Sequence, residues 1–220
     1  MLKSTPAIQS NPTNVMAMDG VLQGAERLHQ IVNSMLDVAR LDNQVLMPHL
    51  ETTPVAPMLR MIQKDYANDL AERNMKFEID PEINSMPLLL ADSELLQKAL
   101  DHVVVNAIKF TPDGGSIFVS AHVIDGNGAG NFCEIRVRDT GIGIDPANHK
   151  IVFEKLYQLG KVELHSSGRT KFKGGGPGLG LAIAAGIVKA HRGKIWVESP
   201  GYDEEKLPGS TFFIQIPLAT

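Results

Sequence analysis

A run of glycines between residues 174 and 180 constrains this chain more than any other feature: Gly174-Gly175-Gly176-Pro177-Gly178-Leu179-Gly180. Glycine has no Cβ, so the backbone here can pass close to a ligand. The apolar residues that follow, Leu179 to Val188, predict a buried helix. The first turn of a helix carries free N–H groups and a partial positive charge, so a glycine turn that leads into it is typical of a phosphate-binding site. On this run alone, a plain glycine-rich loop is the alternative.

The composition is ordinary for a globular protein and argues against several classes of function. The 220 residues carry a formal net charge of -4, whereas nucleic-acid-binding proteins present a basic face. Cys133 is the only cysteine, so no internal disulfide is possible and a reducing compartment is expected. The apolar stretches fall short of the ~20 residues that span a bilayer, and no secretory signal opens the chain. We expect a cytoplasmic protein that binds no nucleic acid and makes no membrane contact through this segment.

A long amphipathic helix is predicted near the N-terminus. Apolar residues recur between Val21 and Ala39 at alternating spacings of four and three, which is the pattern of a helix with one apolar face. This face is wide enough for a helical bundle, and no second helix of this kind follows, so we expect the helix to form a homodimer. The face consists of Val21, Ala25, Leu28, Ile31, Val32, Met35, Val38, Ala39 and Leu41.

Two features set the limits of this helical segment. Met1 to Asn14 mix Ser, Thr, Pro and Asn without a period and predict a disordered terminus. Three prolines break the chain and predict a boundary near residue 50. We expect residues 1–48 to hold the disordered terminus and a partial helical dimerisation segment, and residues 49–220 to form a separate domain. The prolines are Pro48, Pro54 and Pro57.

Helical and strand patterns are mixed beyond this boundary. Apolar spacing predicts a helix over Val55–Glu72 and a second helix that Asp92 caps and that runs to about Lys109. The loop Asp125–Asn131, rich in Gly and Asn, predicts a hairpin. We expect an α+β fold: a two-layer sandwich with helices on one face of a mixed, mostly antiparallel sheet. The predicted strands are Lys76–Ile79, Ser116–Ile124, Phe132–Arg138, Lys194–Glu198 and Ser210–Pro217.

Asn106 lies near the end of the second predicted helix, in an otherwise apolar stretch. A buried amide is costly unless its oxygen has a partner, and Mg²⁺ is one such partner because it takes oxygen ligands. The alternative is a helix-terminal Asn that satisfies backbone groups. Lys109, one turn further on, is a solvated surface charge or, if it faces the cleft, a point charge on phosphate.

Asp139 ends a predicted strand and is followed by Gly141 and Gly143. A carboxylate at this place can accept a hydrogen bond from an exocyclic amine such as that of adenine, and the glycines let the backbone approach the ring. An ordinary Asx turn after a strand is the alternative.

A basic loop separates Asp139 from the glycine run. A polar, basic loop beside a phosphate site can act as a lid whose charges close on a triphosphate, although a solvated face is the alternative. Between Glu154 and Lys173 the acidic residues are Glu154 and Glu163, and the basic residues are Lys155, Lys161, His165, Arg169, Lys171 and Lys173.

In this order the motifs resemble the catalytic and ATP-binding domain of bacterial sensor histidine kinases, from Leu28 to Ile216. Single boxes occur by chance, but five in the right order are specific. The helix Glu26–Asp42 resembles the second helix of the family's dimerisation and phosphotransfer bundle. The boxes are Gln97–Phe110 (N box), Asp139–Ile144 (G1 box), Val152–Leu156 (F box), Gly174–Leu181 (G2 box) and the final glycine motif Gly209-Ser210-Thr211-Phe212.

The resemblance implies that residues 49–220 form a catalytic and ATP-binding domain, a Bergerat-type sandwich with ATP and Mg²⁺ as cofactors. It implies that Asn106 holds Mg²⁺, that Asp139 binds adenine, that Gly141 and Gly143 flank the base, and that Phe153 anchors one edge of the lid. Lys109 and a lid cation would offset charge on the γ-phosphate. The other implied nucleotide-binding residues are Arg169, Lys171, Gly174, Gly176, Gly178, Leu179, Gly180 and Thr211.

Three departures from the family pattern qualify the catalytic expectation. The chain has no phosphoacceptor motif of a His followed by an acidic residue, so the acceptor is expected on another segment of a longer sensor protein. His102 stands where the family commonly has a second Asn, and a neutral imidazole there would lie near the metal or the nucleophile. Pro177 removes one N–H donor from the phosphate-binding run.

The resemblance therefore implies an ATP-dependent protein-histidine kinase domain that transfers the γ-phosphate of ATP to a histidine outside this chain, for relay to an aspartate of a response regulator. A catalytically degenerate module that dimerises and docks a regulator is the alternative. A serine kinase of the anti-sigma type is disfavoured, because those relatives lack the bundle helix.

Overall fold

The computed structural model describes residues 12–42, 46–126, 130–157, 170–174 and 177–219. The helices are α1 (Pro12–Asp42), α2 (Val55–Asp65), α3 (Ala67–Glu72), α4 (Ser93–Phe110) and α5 (Gly180–Ala190). The strands are β1 (Glu51–Thr53), β2 (Lys76–Ile79), β3 (Leu89–Ala91), β4 (Ser116–Asp125), β5 (Asn131–Asp139), β6 (Lys194–Glu198) and β7 (Ser210–Pro217). Short 3-10 turns occupy Pro81–Ser85, Pro146–Asn148 and Ile151–Phe153.

The main sheet has five strands in the order β2-β4-β5-β7-β6. Only the β2–β4 pair is parallel, and the other pairs are antiparallel. A separate antiparallel pair, β1 and β3, lies next to the linker from α1. This order places the end of β5 between β4 and β7, so that Asp139 lies between Ile117 and Ser210.

The core lies between one face of this sheet and the helices α2, α4 and α5. Strand alternation sends Phe212, Ile214 and Ile216 of β7 inward, where each is at most 1% exposed. Helix α4 has a matching apolar stripe that includes Leu96, Leu100 and further buried residues of the same face. At its start the Asp92 carboxylate accepts a hydrogen bond from the Leu95 amide at 3.0 Å, which caps the helix as expected.

Helix α1 packs on this domain through its last turns. Val38 and Leu41 contact the core, and Leu41 lies over Gly186 of α5, where a Cβ would come within 2.6 Å of its side chain. The Lys98 ammonium of α4 lies 2.5 Å from the Asp37 carboxylate of α1. Earlier residues of α1 expose an apolar stripe that includes Leu28 (65% exposed) and Met35 (54% exposed).

The α+β sandwich and the long preceding helix are confirmed, and β2, β6 and β7 have the predicted bounds. Two expectations differ. The helix predicted over Val55–Glu72 breaks at Tyr66, whose hydroxyl donates to Asp101 at 2.6 Å. Residues 12–14, expected to be disordered, form the start of α1. Proline is tolerated at a first helical position because the N–H that it lacks has no partner within the helix.

The disordered terminus expected up to Asn14 falls mostly on residues 1–11, which lie outside the described residues. The division into residues 1–48 and 49–220 stays a prediction. Among the described helices, none combines the length and the hydropathy that a bilayer-spanning helix requires.

Candidate functional site

Asp139 is the most buried charged group at the end of the sheet, with 4% of its surface exposed. Its Oδ1 accepts hydrogen bonds from the amides of Gly141 at 2.8 Å and Ser210 at 3.2 Å. Burial raises the pKa of the Asp139 carboxyl to about 6, while these two amides act in the opposite direction. Within the described residues both amide donors reach Oδ1, so Oδ2 can accept from a ligand.

The glycines after Asp139 are required by the protein's own backbone. A Cβ at Gly141 would lie 2.3 Å from the Phe110 carbonyl oxygen at the end of α4. Gly143 has a positive φ of 73°, and a Cβ there would lie 2.0 Å from the Gly201 carbonyl oxygen. The Ile142 amide donates to the Phe110 carbonyl at 3.1 Å, and the Asp203 amide donates to the Ile142 carbonyl at 2.8 Å. These bonds hold the loop after β5 between α4 and the β6–β7 loop, which fixes the surroundings of Asp139.

Helix α4 brings three of the predicted residues onto one face. His102, Asn106 and Lys109 follow one another at helical spacings of four and three, and all three are half-buried. Burial lowers the pKa of the Lys109 ammonium, which lies 5.1 Å from the centre of the Phe110 ring. His102 lies beside the start of α5, since a Cβ at Gly180 would be 3.1 Å from its Nδ1.

The N-terminus of α5 lies at the same end of the domain. Its N-cap residue, the buried Leu179, has no polar side chain that could accept from the first-turn amides. Gly178 has a positive φ of 67° and accepts a hydrogen bond from the Leu156 amide at 3.0 Å. The Phe153 ring packs edge-on against Phe212, with ring centres 6.3 Å apart, which anchors the F-box turn to the core.

The structure separates some of the predicted residues from the others. Thr211 lies on the face of β7 opposite to Asp139, because it is one residue out of step with Ser210 and Phe212. Lys171 is exposed, and Gly174 is buried and donates its amide to the Lys171 carbonyl at 2.8 Å. Arg169 and Gly176 lie outside the described residues, as does most of the predicted lid, 158–169.

Three residues at the site were not predicted. Ser210 takes the place beside Asp139, and the strand alternation that sends Phe212 inward could have identified it. Ser199 accepts the Ile144 amide at 2.9 Å and donates to the Gly209 carbonyl at 2.7 Å, which ties together the loops around Asp139. Arg73 lies far away in sequence and gave no local signal.

The sequence and the fold were compared with those of known proteins. Residues 91–220 match the family described as "Histidine kinase-, DNA gyrase B-, and HSP90-like ATPase". This match covers more than half of the chain, and the chain belongs to that family.

Two curated relatives illustrate the similarity. Sensor histidine kinase WalK of Bacillus subtilis (strain 168) is 30% identical over 184 residues, which are 79% of this chain and 26% of WalK. Sensor protein SrrB of Staphylococcus aureus (strain MRSA252) is 31% identical over 200 residues, which are 90% of this chain and 30% of SrrB. The chain thus spans less than a third of these relatives and is homologous to the ATPase portion of sensor histidine kinases.

Solved structures share the fold. Full-length ShkA, crystallised in complex with AMPPNP, superposes with a TM-score of 0.76 at 24% identity, covering 96% of this chain and 40% of that chain. The Acinetobacter baumannii histidine kinase AdeS gives 0.69 at 17% identity, covering 96% of this chain and 86% of that chain. The degenerate docking module is not favoured by these findings.

Proposed function

We propose that this chain binds ATP at Asp139 and passes its γ-phosphate to a histidine outside the chain. The observation that carries the proposal is the buried Asp139 carboxylate, held by two amides on Oδ1 with Oδ2 available to a ligand. The exocyclic amine of adenine is a donor that fits this oxygen. Leaving such a buried carboxylate without a ligand is unfavourable, and its raised pKa reflects that cost.

The phosphates would extend from this base towards the start of α5. The first-turn amides of α5, together with the backbone at Gly178, offer donors to phosphate oxygens, and Gly174 is proposed beside them on the family resemblance. Lys109 would supply a positive charge from α4. On the family resemblance, Arg169, Lys171 and Gly176 are proposed as phosphate-side contacts, and Thr211 is proposed as a residue of the nucleotide site.

Mg²⁺ is proposed at Asn106. In the described residues no cluster of three or more His, Cys, Asp or Glu side chains could hold a metal. The half-buried Asn106 offers one amide oxygen, and Mg²⁺ beside nucleotides is commonly held by few protein ligands, with water and phosphate in its remaining positions. When bound, the ion would neutralise charge on the phosphates.

The proposed reaction is phosphoryl transfer to an imidazole nitrogen. The lone pair of a neutral histidine attacks the γ-phosphorus, the bond from phosphorus to the β–γ bridging oxygen breaks, and ADP leaves. Positioning and charge stabilisation supply most of the rate, and Lys109 offsets charge that develops on the transferred group. His102 would act through its contact with the start of α5, where it helps to orient the phosphates.

The histidine and the partners would come from outside the chain. We propose that α1 pairs with a second copy through its exposed apolar stripe, and that the phosphohistidine then passes phosphate to an aspartate of a response regulator on the cytoplasmic side. Replacing Leu28 and Met35 by Glu should convert the full chain from dimer to monomer in analytical ultracentrifugation. A monomer before substitution would contradict the pairing.

Phosphoryl transfer itself is tested by incubating the full chain with γ-labelled ATP and a bundle segment of a sensor histidine kinase that carries the acceptor histidine. We expect acid-labile, base-stable label on the bundle segment, and none with Asp139→Ala. Label that appears equally with the Asp139→Ala variant would contradict the assigned site. Saturable ATP binding without transfer of the labelled phosphate to any bundle segment would contradict the kinase assignment.

A further inference from the structure

Arg73, at the C-terminal end of α3, has a buried guanidinium with 9% of the residue exposed. Its Nη1 donates to the carbonyl oxygens of Ile108 at 2.7 Å and Thr170 at 2.6 Å. Its Nη2 donates to the Thr111 carbonyl oxygen at 2.6 Å, and its Nε to Asp113 at 2.7 Å. One side chain therefore joins α3, the end of α4 and the stretch that leads into the glycine run.

Two of these contacts complete the C-terminus of α4. The last carbonyls of a helix have no partner within the helix and carry partial negative charge. Arg73 supplies both a positive charge and donors to Ile108 and to the C-cap residue Thr111. The turn that it holds belongs to the helix that carries Asn106 and Lys109.

The other side of the contact is the segment 170–174. Besides its carbonyl bond to Arg73, Thr170 donates its hydroxyl to Asp69 of α3 at 2.7 Å. The Lys173 amide donates to the Lys109 carbonyl at 2.9 Å. Segment 170–174, which ends at the first residue of the glycine run, is thus held on both α3 and α4.

We propose that Arg73 is a positioning residue for the phosphates of ATP. By fixing segment 170–174 to the end of α4, it sets the distance between Lys109 and Gly174, which would lie on two sides of the triphosphate. This inference rests on the proposed function. The planar guanidinium with its several donors is essential to the role, since a lysine ammonium cannot reach three carbonyls in different directions.

The test compares two ligands and three variants. Calorimetry measures the affinity of the full chain for a non-hydrolysable ATP analogue and for ADP, and circular dichroism checks that each variant is folded at the temperature used. Arg73→Lys should weaken the affinity for the triphosphate analogue about five- to tenfold, while the affinity for ADP should change less than about twofold. The difference is expected because a displaced segment 170–174 would lose its contacts with the γ-phosphate, which ADP lacks. Asp113→Asn, which removes only the exposed ion pair of Arg73, should leave both affinities unchanged.

Two further measurements separate positioning from general stability. Amide hydrogen exchange at Lys173 should accelerate in Arg73→Lys and stay unchanged in Asp113→Asn. Thr170→Val removes the bond to Asp69 without touching Arg73, so it should weaken the triphosphate analogue selectively by about two- to threefold even if Arg73→Lys does not fold.

The outcomes are distinguishable. The positioning role is overturned if Arg73→Lys and Thr170→Val lose affinity for ADP and for the triphosphate analogue equally, or if neither variant loses affinity. Both results leave the proposed function standing. A wild-type chain that binds neither nucleotide overturns the proposed function and this inference with it.

Discussion

Asp139 and Ser210 face each other across the antiparallel strands β5 and β7, and the Ser210 amide donates to the Asp139 carboxylate at 3.2 Å. The same carboxylate oxygen accepts the Gly141 amide from its own loop. Asp139 is therefore held by the backbone of its own loop and by the backbone of β7. Its second oxygen is oriented without help from any side chain in the described residues.

Replacing Asp139 by Ala should remove the acceptor for adenine. We expect nucleotide affinity to fall about 10- to 100-fold or more, the range for a buried hydrogen bond to a charged group. Asp65→Ala, at an exposed position of α2, is the matched control. Calorimetry with unchanged circular dichroism provides the measurement, and full affinity in Asp139→Ala would remove the adenine assignment.

The stability of the chain should depend on pH through Asp139. Its pKa is raised from 3.8 to about 6, so the folded state holds more protons than the unfolded state between these values. Stability from this group is thus highest below about pH 4, falls as pH rises to about 6, and is constant above, a change of about 3 kcal/mol. Urea unfolding from pH 4 to 8, with Asp139→Asn as reference, measures this difference.

In that comparison, Asp139→Asn should gain stability relative to wild type as pH rises through the window. Nucleotide affinity should change in the opposite direction, rising with pH up to about 6, because the ionised carboxylate is the better acceptor. A stability difference that stays flat from pH 4 to 8 would contradict the raised pKa.

Asn106→Ala should weaken binding in the presence of Mg²⁺ more than binding without it. Asn106 is half-buried on α4, and its amide oxygen is the protein ligand proposed for the ion. Parallel titrations with Mg²⁺ and with EDTA make the comparison. Equal losses in both conditions would show that Asn106 contacts the nucleotide or supports the fold, not the metal.

The packing of α1 on α5 is tested by Gly186 and Leu41. Alanine favours a helix over glycine by about 1 kcal/mol, but a Cβ at Gly186 would press on Leu41. Gly186→Ala alone should therefore change stability little, whereas in a Leu41→Ala background it should stabilise by about 0.5–1 kcal/mol. Denaturant unfolding of the four proteins measures this coupling. Equal gains in both backgrounds would show that Leu41 does not lie over Gly186.

The sequence predicted those parts of the fold that depend on local pattern. Strand β7 alternates cleanly from Ser210 to Pro217, and Asp92 begins α4 with a polar cap before an apolar stripe. Strands β1 and β3 could not be predicted, because each has only three residues and their pairing, Glu51 with Ala91, joins distant parts of the chain. The break at Tyr66 likewise follows from a tertiary contact with Asp101.

The same distinction applies to the site. Asp139 and the start of α5 could be predicted because glycines follow the first and precede the second in the sequence. Thr211 was chosen from its motif although strand parity places Ser210 beside Asp139. Arg73 could not be found, since the groups it binds are backbone carbonyls at Ile108, Thr111 and Thr170, which carry no side-chain signature.

ATP binding at Asp139 is tested directly by a calorimetric titration of a non-hydrolysable ATP analogue into the full chain, with and without Mg²⁺. We expect saturable binding of one nucleotide per chain, strengthened by Mg²⁺. Absence of binding in both conditions would contradict it, and would mean that the Asp139 site is a structural remnant in a chain that acts through docking.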